Sequence, residues 1–113
     1  MSRHTFRVTV RGAFDQLDEP ARAALLAAAD RHSWLNSAFT EPGTLTYGPE
    51  LHAFAFRYVV RAPVEEGARI ATEQAEAQAL ATLEALGCGY RHLRSGAVDV
   101  DEIPVRRKGR SNW

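Results

Sequence analysis

Apolar and polar residues alternate near the start of the chain. In Thr5–Arg11 (TFRVTVR), phenylalanine and valine occupy every second position, and threonine and arginine occupy the others. A period of two is typical of a strand with one buried face. The same alternation returns in Leu51–Arg61, and shorter runs predict strands at Thr44–Tyr47 and Tyr90–Ser95.

Two other segments carry apolar residues at helical spacing. Asp18 is a candidate N-cap and Pro20 suits a first turn, so the first helix is predicted over 19–32. Alanines and leucines form the packing stripe of a second helix, predicted over Pro63–Leu86 and ended by Gly87. The resulting order, β-α-β-β-α-β, is that of the ferredoxin-like split βαβ pattern. We therefore predict an α+β fold: a ferredoxin-like sandwich with a four-stranded antiparallel sheet. The first and third strands should be central, and both helices should lie on one face.

The chain has 113 residues, a length that favours one domain burying about two-thirds of its unfolded surface. We expect the ferredoxin-like domain to span residues 1–98. Residues 99–113 are acidic and then basic, and are expected to form a partly disordered C-terminal tail. In the connection 33–41, Trp34, Leu35 and Phe39 are expected to pack against the core.

Residues 52–60, HAFAFRYVV, can be interpreted in two ways. They approximate the strand that RNA-recognition modules use to stack bases on exposed aromatic rings. That use would expose Phe54 and Phe56 and bury Arg57, and an unpaired buried guanidinium costs several kcal/mol. Burying the phenylalanines instead gains roughly 1.5–3 kcal/mol each. The second interpretation is favoured, and a formal net charge of zero also argues against nucleic acid as a partner.

With the apolar residues under the helices, the other sheet face receives the basic ones. This face receives Arg7, Arg11 and Arg57, and if Leu93 points inward, the candidate ligand-binding residues also include Tyr90, His92 and Arg94. Arginine is a planar double donor that suits carboxylate or phosphate groups. The face could bind an anionic small molecule, or it could form the interface of a homodimer in which tail acids neutralise the partner's arginines.

Histidine, cysteine and tyrosine residues are the remaining candidates for metal binding or catalysis. His4 and His52 could be neighbours if their strands pair. However, the chain has no H-x-x-x-H or C-x-x-C motif and no acidic partner at the spacing of metal ligands, so no metal is expected. Cys88 follows a helix C-terminus and is expected to be a structural thiol. No cofactor-binding motif is evident and no catalytic residue can be assigned, although His92 or Tyr90 would be the candidate acid or base.

The segments FRVTVRGAF, AALLAAADRH, AFTEPGTLTY, FAFRYVV and GYRHLRS together resemble a family of small uncharacterised actinobacterial proteins, a domain of unknown function. The resemblance extends to about Asp101 and implies a cytoplasmic bacterial protein with no known activity. Nothing in the chain resembles a signal peptide or a membrane span, which also favours the cytoplasm.

These observations predict a small cytoplasmic binding or accessory protein, homodimeric, whose arginine-lined sheet face takes an anionic ligand or partner. The alternative is a small cofactor-free enzyme of the isomerase or cyclase type, acting in specialised metabolism. An enclosed, partly apolar pocket would favour the enzyme.

Overall fold

In residues 2–101 the fold combines four strands and two α-helices, as the alternation and the helical spacing predict. The structure is a computed structural model that describes residues 2–101, so most of the predicted tail lies outside the described residues. The elements are β1 (Arg3–Asp15), α1 (Glu19–Ala27), a short 3-10 turn (Trp34–Asn36), β2 (Thr44–Tyr47), β3 (Ala53–Pro63), α2 (Gly67–Ala85) and β4 (Gly89–Asp99).

The strands form one antiparallel sheet in the order β2-β3-β1-β4. The first and third strands are therefore central, as predicted. They pair from Arg3 opposite Pro63 to Ala13 opposite Ala53. β4 is longer than the sequence indicates, because Gly96, Ala97 and Val98 continue the ladder with β1.

The predicted parity of the central strands is confirmed. Phe54, Phe56 and Tyr58 are at most 2% exposed, and Phe6, Val8 and Val10 of β1 are buried beside them. The α2 stripe covers this layer, with Ala71, Ala75, Ala79 and Leu83 fully buried. Because the alanine side chains are short, the α2 backbone can approach the sheet closely. We call the opposite side, which carries Arg7, Arg11 and Arg57, the open face.

Both helices are shorter than predicted. Asp18 is confirmed as the N-cap of α1, since its carboxylate accepts a hydrogen bond from the Ala21 amide at 2.9 Å. The helix ends at Ala27, and the turn that follows it contacts β2. There a ring nitrogen of His32 forms a hydrogen bond with the Leu45 carbonyl at 2.9 Å. α2 begins only at Gly67, because β3 continues to Pro63. Neither helix has the length and apolar character needed to cross a bilayer.

Raising the pH above 10 should destabilise the fold through Tyr58. Its burial raises the pKa of the phenol from 10.0 to about 12. Between these values the unfolded chain has lost a proton that the native state keeps, so stability falls as pH rises. The difference amounts to roughly 2 kcal/mol between pH 9 and 11.5. Urea unfolding at pH 9 and pH 11.5 measures it.

The matched control for that titration is Tyr58→Phe, which keeps the buried ring and removes the ionisable hydroxyl. The variant should lose markedly less stability than the native protein over the same pH interval. Equal losses in the two proteins would show that Tyr58 does not carry the effect.

Candidate functional site

The open face contains a concavity of about 420 Å³ at the end of the sheet where β3 begins. We call it the arginine concavity. Its lining combines cationic, aromatic and very small side chains, contributed by Arg11, Gly12, Ala13, Trp34, His52, Ala53, Phe54, Ala55, Arg57, His92 and Arg94. It is wide-mouthed rather than enclosed.

Small residues on the central strands produce the depression. Ala13 of β1 pairs with Ala53 of β3, and Ala55 stands one outward position further along, opposite Arg11. A methyl group is the largest side chain at these three positions on the open face. The floor of the arginine concavity is therefore apolar and low, while longer side chains rise around it.

Three arginines surround this floor. Arg11 and Arg94 are register partners on β1 and β4, and Arg57 stands on β3. Within residues 2–101 no carboxylate forms an ion pair with any of the three. Burial and the nearby charge of Arg11 lower the pKa of Arg57. The site thus concentrates positive charge that the described part of the chain leaves uncompensated.

Trp34 forms one side of the concavity, and the sequence did not predict it there. The indole lies over the Arg57 guanidinium, with the ring centroid 5.9 Å from Cζ, and Phe39 lies over Arg7 at 5.4 Å. The expectation that the connection packs against the core is therefore wrong, and Leu35 is 95% exposed. The core side is already filled by the strand aromatics, whereas guanidinium groups offer cation–π contacts on the open face.

Hydrogen bonds hold this connection against the sheet. The Val59 amide donates to the Thr40 carbonyl at 2.8 Å, which ties the segment to β3. The Arg57 guanidinium donates to the Thr46 hydroxyl at 3.0 Å. Thr46 points to the open face and is nevertheless fully buried. The connection 33–41 therefore covers the β2 side of the open face.

A β-bulge in β4 changes which residues reach the concavity. Arg11 pairs with Arg94 but Ala13 pairs with Arg91, so β4 contains one extra residue here. His92 lies at this bulge and adopts a left-handed backbone conformation, with a φ of 59°. An inserted residue reverses the facing of everything beyond it.

Tyr90 is consequently placed on the helix side. It pairs with the core residue Phe14 and lines a groove with Leu80 of α2, so its predicted position on the open face is wrong. Arg91 takes the outward position instead, and its guanidinium lies 4.0 Å from the Asp15 carboxylate.

The structure brings together four of the six predicted site residues. Arg11, Arg57, His92 and Arg94 line the concavity. Arg7 shares the open face but lies further along β1, beside Phe39. Trp34 and His52 were missed. His52 immediately precedes β3, and the pairing of Ala53 with Ala13 brings it to this end of the sheet.

The suggested proximity of His4 and His52 is wrong, because β1 and β3 are antiparallel. His4 lies opposite Ala62, at the far end of the sheet from His52. Its Nδ1 atom is 2.6 Å from an Asp99 carboxylate oxygen. With Asp101, these side chains bring ligand-type atoms within 4.8 Å of one another. Sequence reasoning missed this grouping because both acids were assigned to the tail.

Cys88 is buried just after α2. Burial, and secondarily the Asp18 carboxylate, raise the pKa of its thiol. The protonated form is a poor nucleophile. This environment agrees with the structural role expected from the sequence.

Comparison with known proteins gives one match. Neither the curated proteins nor the solved structures contain a match to the chain. The model of a family of unknown function, DUF6204, matches residues 1–111. The match covers nearly the whole sequence, so the chain belongs to the DUF6204 family of unknown function.

Proposed function

We propose that this protein is a cytoplasmic binding protein, built as a ferredoxin-like sandwich, that holds a small anionic ligand in the arginine concavity. The observation that carries the proposal is the convergence of Arg11, Arg57 and Arg94 without an ion-pairing carboxylate in residues 2–101. An anion would offset the repulsion between these guanidinium groups and accept their charge-assisted hydrogen bonds.

The depressed pKa of Arg57 supports this function. Partial burial weakens hydration of the guanidinium, and Arg11 adds like-charge repulsion. Both costs decrease when an anion binds between the two groups. The Thr46 hydroxyl and the Trp34 ring hold the Arg57 side chain in place, so little rotamer freedom remains to be lost on binding.

A binding screen with matched arginine variants tests the proposal. Carboxylated and phosphorylated compounds should raise the melting temperature, and Arg57→Ala should weaken the affinity about tenfold or more, since a hydrogen bond to a charged group contributes roughly 1.5–3 kcal/mol. Arg22→Ala, which removes an exposed arginine from α1, should leave affinity unchanged. The proposal fails if no anion stabilises the protein and the two variants behave alike.

The enzyme alternative retains less support. Of the two candidate acid–base groups, Tyr90 lies on the helix side and only His92 lines the concavity. The site is also open to solvent, whereas the enzyme prediction required an enclosed pocket. Active sites usually exclude water from the reacting groups, and this open site does not, so binding is the better-supported use.

A homodimer formed through the open face is a competing use of the same surface. Val98 is 48% exposed and pairs with Arg7 on this face, so apolar area remains there to be covered. Face-to-face pairing would cover the arginine concavity and depend on ionic strength. Light scattering at low and high salt distinguishes the two uses: a monomer at both salt concentrations leaves the concavity free for a ligand.

A further inference from the structure

The arginine concavity combines apolar surface with its positive charge. Its floor consists of the methyl groups of Ala13, Ala53 and Ala55, and one side is the Trp34 indole. Charge is confined to the groups that rise around this apolar part. A ligand that fills the site must therefore contact apolar surface and guanidinium groups together.

The exposed ring of Trp34 indicates which class of ligand the site suits. Its side chain remains 42% exposed although it is held against Arg57. Covering exposed apolar area stabilises a complex, and aromatic rings add stacking energy when a second ring lies offset or edge-on. Phosphate or sulfate would meet the arginines and leave the indole and the exposed Ala53 methyl group in water.

We propose that the ligand is a planar aromatic carboxylate. This inference rests on the proposed function, because it assumes that the concavity binds an anion. The ring would lie on the alanine floor beside Trp34, and the carboxylate would accept hydrogen bonds from Arg11 and Arg57. A volume of about 420 Å³ falls in the lower part of the roughly 300–1,000 Å³ range of small-molecule sites.

The test compares anions that differ in their apolar part. The probes are 2-naphthoate, octanoate, acetate and pyrophosphate, with uncharged 2-naphthamide as the control for charge. The chain has two tryptophans, so a Trp113→Phe background makes Trp34 the single indole reporter. We expect 2-naphthoate to change Trp34 fluorescence and to bind at least tenfold more tightly than the other four compounds.

Variants separate the apolar contacts from the charge. Trp34→Ala, followed by calorimetry, should weaken 2-naphthoate binding about tenfold and pyrophosphate binding clearly less, because pyrophosphate loses only the support that the indole gives to Arg57. Ala53→Leu should block the floor, while Ala53→Ser, of nearly native volume, should not. Since Ala53 is exposed, both floor variants should fold even if Trp34→Ala does not, and circular dichroism checks this.

The outcomes distinguish this inference from the proposed function. If pyrophosphate or octanoate binds as tightly as 2-naphthoate, or if Trp34→Ala and Ala53→Leu have no effect on 2-naphthoate, the aromatic acid is excluded while anion binding stands. If no anion binds and Arg57→Ala is silent, the proposed function fails and this inference fails with it.

Discussion

Replacing Phe54 by alanine should lower the free energy of unfolding by about 3–5 kcal/mol, the usual cost of removing a buried aromatic side chain. Phe54 is 1% exposed, and its ring centroid lies 4.9 Å from that of Phe14 and 5.7 Å from that of Phe56. The ring also lies under Gly12, next to the arginine concavity. Its removal would leave a cavity on the helix side of the two central strands, below the site.

Chemical denaturation of Phe54→Ala measures this loss, with Ala53→Ser as the control. Residue 53 is the neighbour on the same strand but faces the opposite way and is exposed. A surface change of this kind should stay within about 0.5 kcal/mol of the native protein. A loss below about 1.5 kcal/mol for Phe54→Ala would contradict the inward facing of β3.

Gly43→Ala should destabilise the protein by about 2–4 kcal/mol, for two separable reasons. Gly43 has a φ of 90°, where a residue with a Cβ is strained by about 1–2 kcal/mol. An added Cβ would also overlap the Tyr58 ring, lying only 2.6 Å from its Cδ1 atom. Tyr58 is fully packed in the core, so its ring cannot move aside without strain elsewhere.

Two other glycines separate these contributions. Gly87 also has a positive φ, 72°, but a Cβ there would meet nothing within 4 Å, so Gly87→Ala should cost only the backbone strain. Gly96 combines an ordinary φ with open space, so Gly96→Ala should be close to neutral. Thermal and urea unfolding of the three variants should rank them Gly43, Gly87, Gly96. If Gly43→Ala cost no more than Gly87→Ala, the overlap with Tyr58 would be disproved.

The arginine concavity was only partly predictable, and its residues show why. The outward positions of Arg11 and Arg57 follow from the alternation along β1 and β3, because the buried apolar residues next to each arginine fix the face to which it points. Arg94 and His92 were placed correctly, yet Tyr90 on the same strand was not. One inserted residue at His92 reverses the facing beyond it, and no glycine or proline within the Arg91–Arg94 segment marks the bulge; the glycine opposite it, Gly12, lies on β1.

Trp34 was unpredictable for a different reason. It belongs to an irregular connection, and such a segment has no periodicity from which a direction can be derived. Its position depends on the cation–π contact with Arg57 and on the bond from Val59 to Thr40, both with residues distant in sequence. The separation of His4 from His52, by contrast, follows from the antiparallel sheet that the sequence predicts, because the starts of two antiparallel neighbouring strands lie at opposite ends of the sheet.

The sequence by itself determined the order of the elements, the buried side of each central strand, the N-cap of α1 and the packing stripe of α2. These features depend on local spacing and on the free energy of burying apolar side chains, which a sequence displays directly. Only the tertiary structure decided which end of the open face becomes concave, that Trp34 lies along one side of it, and that Tyr90 lies outside it. Those outcomes depend on strand register, on one bulge and on loop contacts, where residues far apart in the chain compete for the same space.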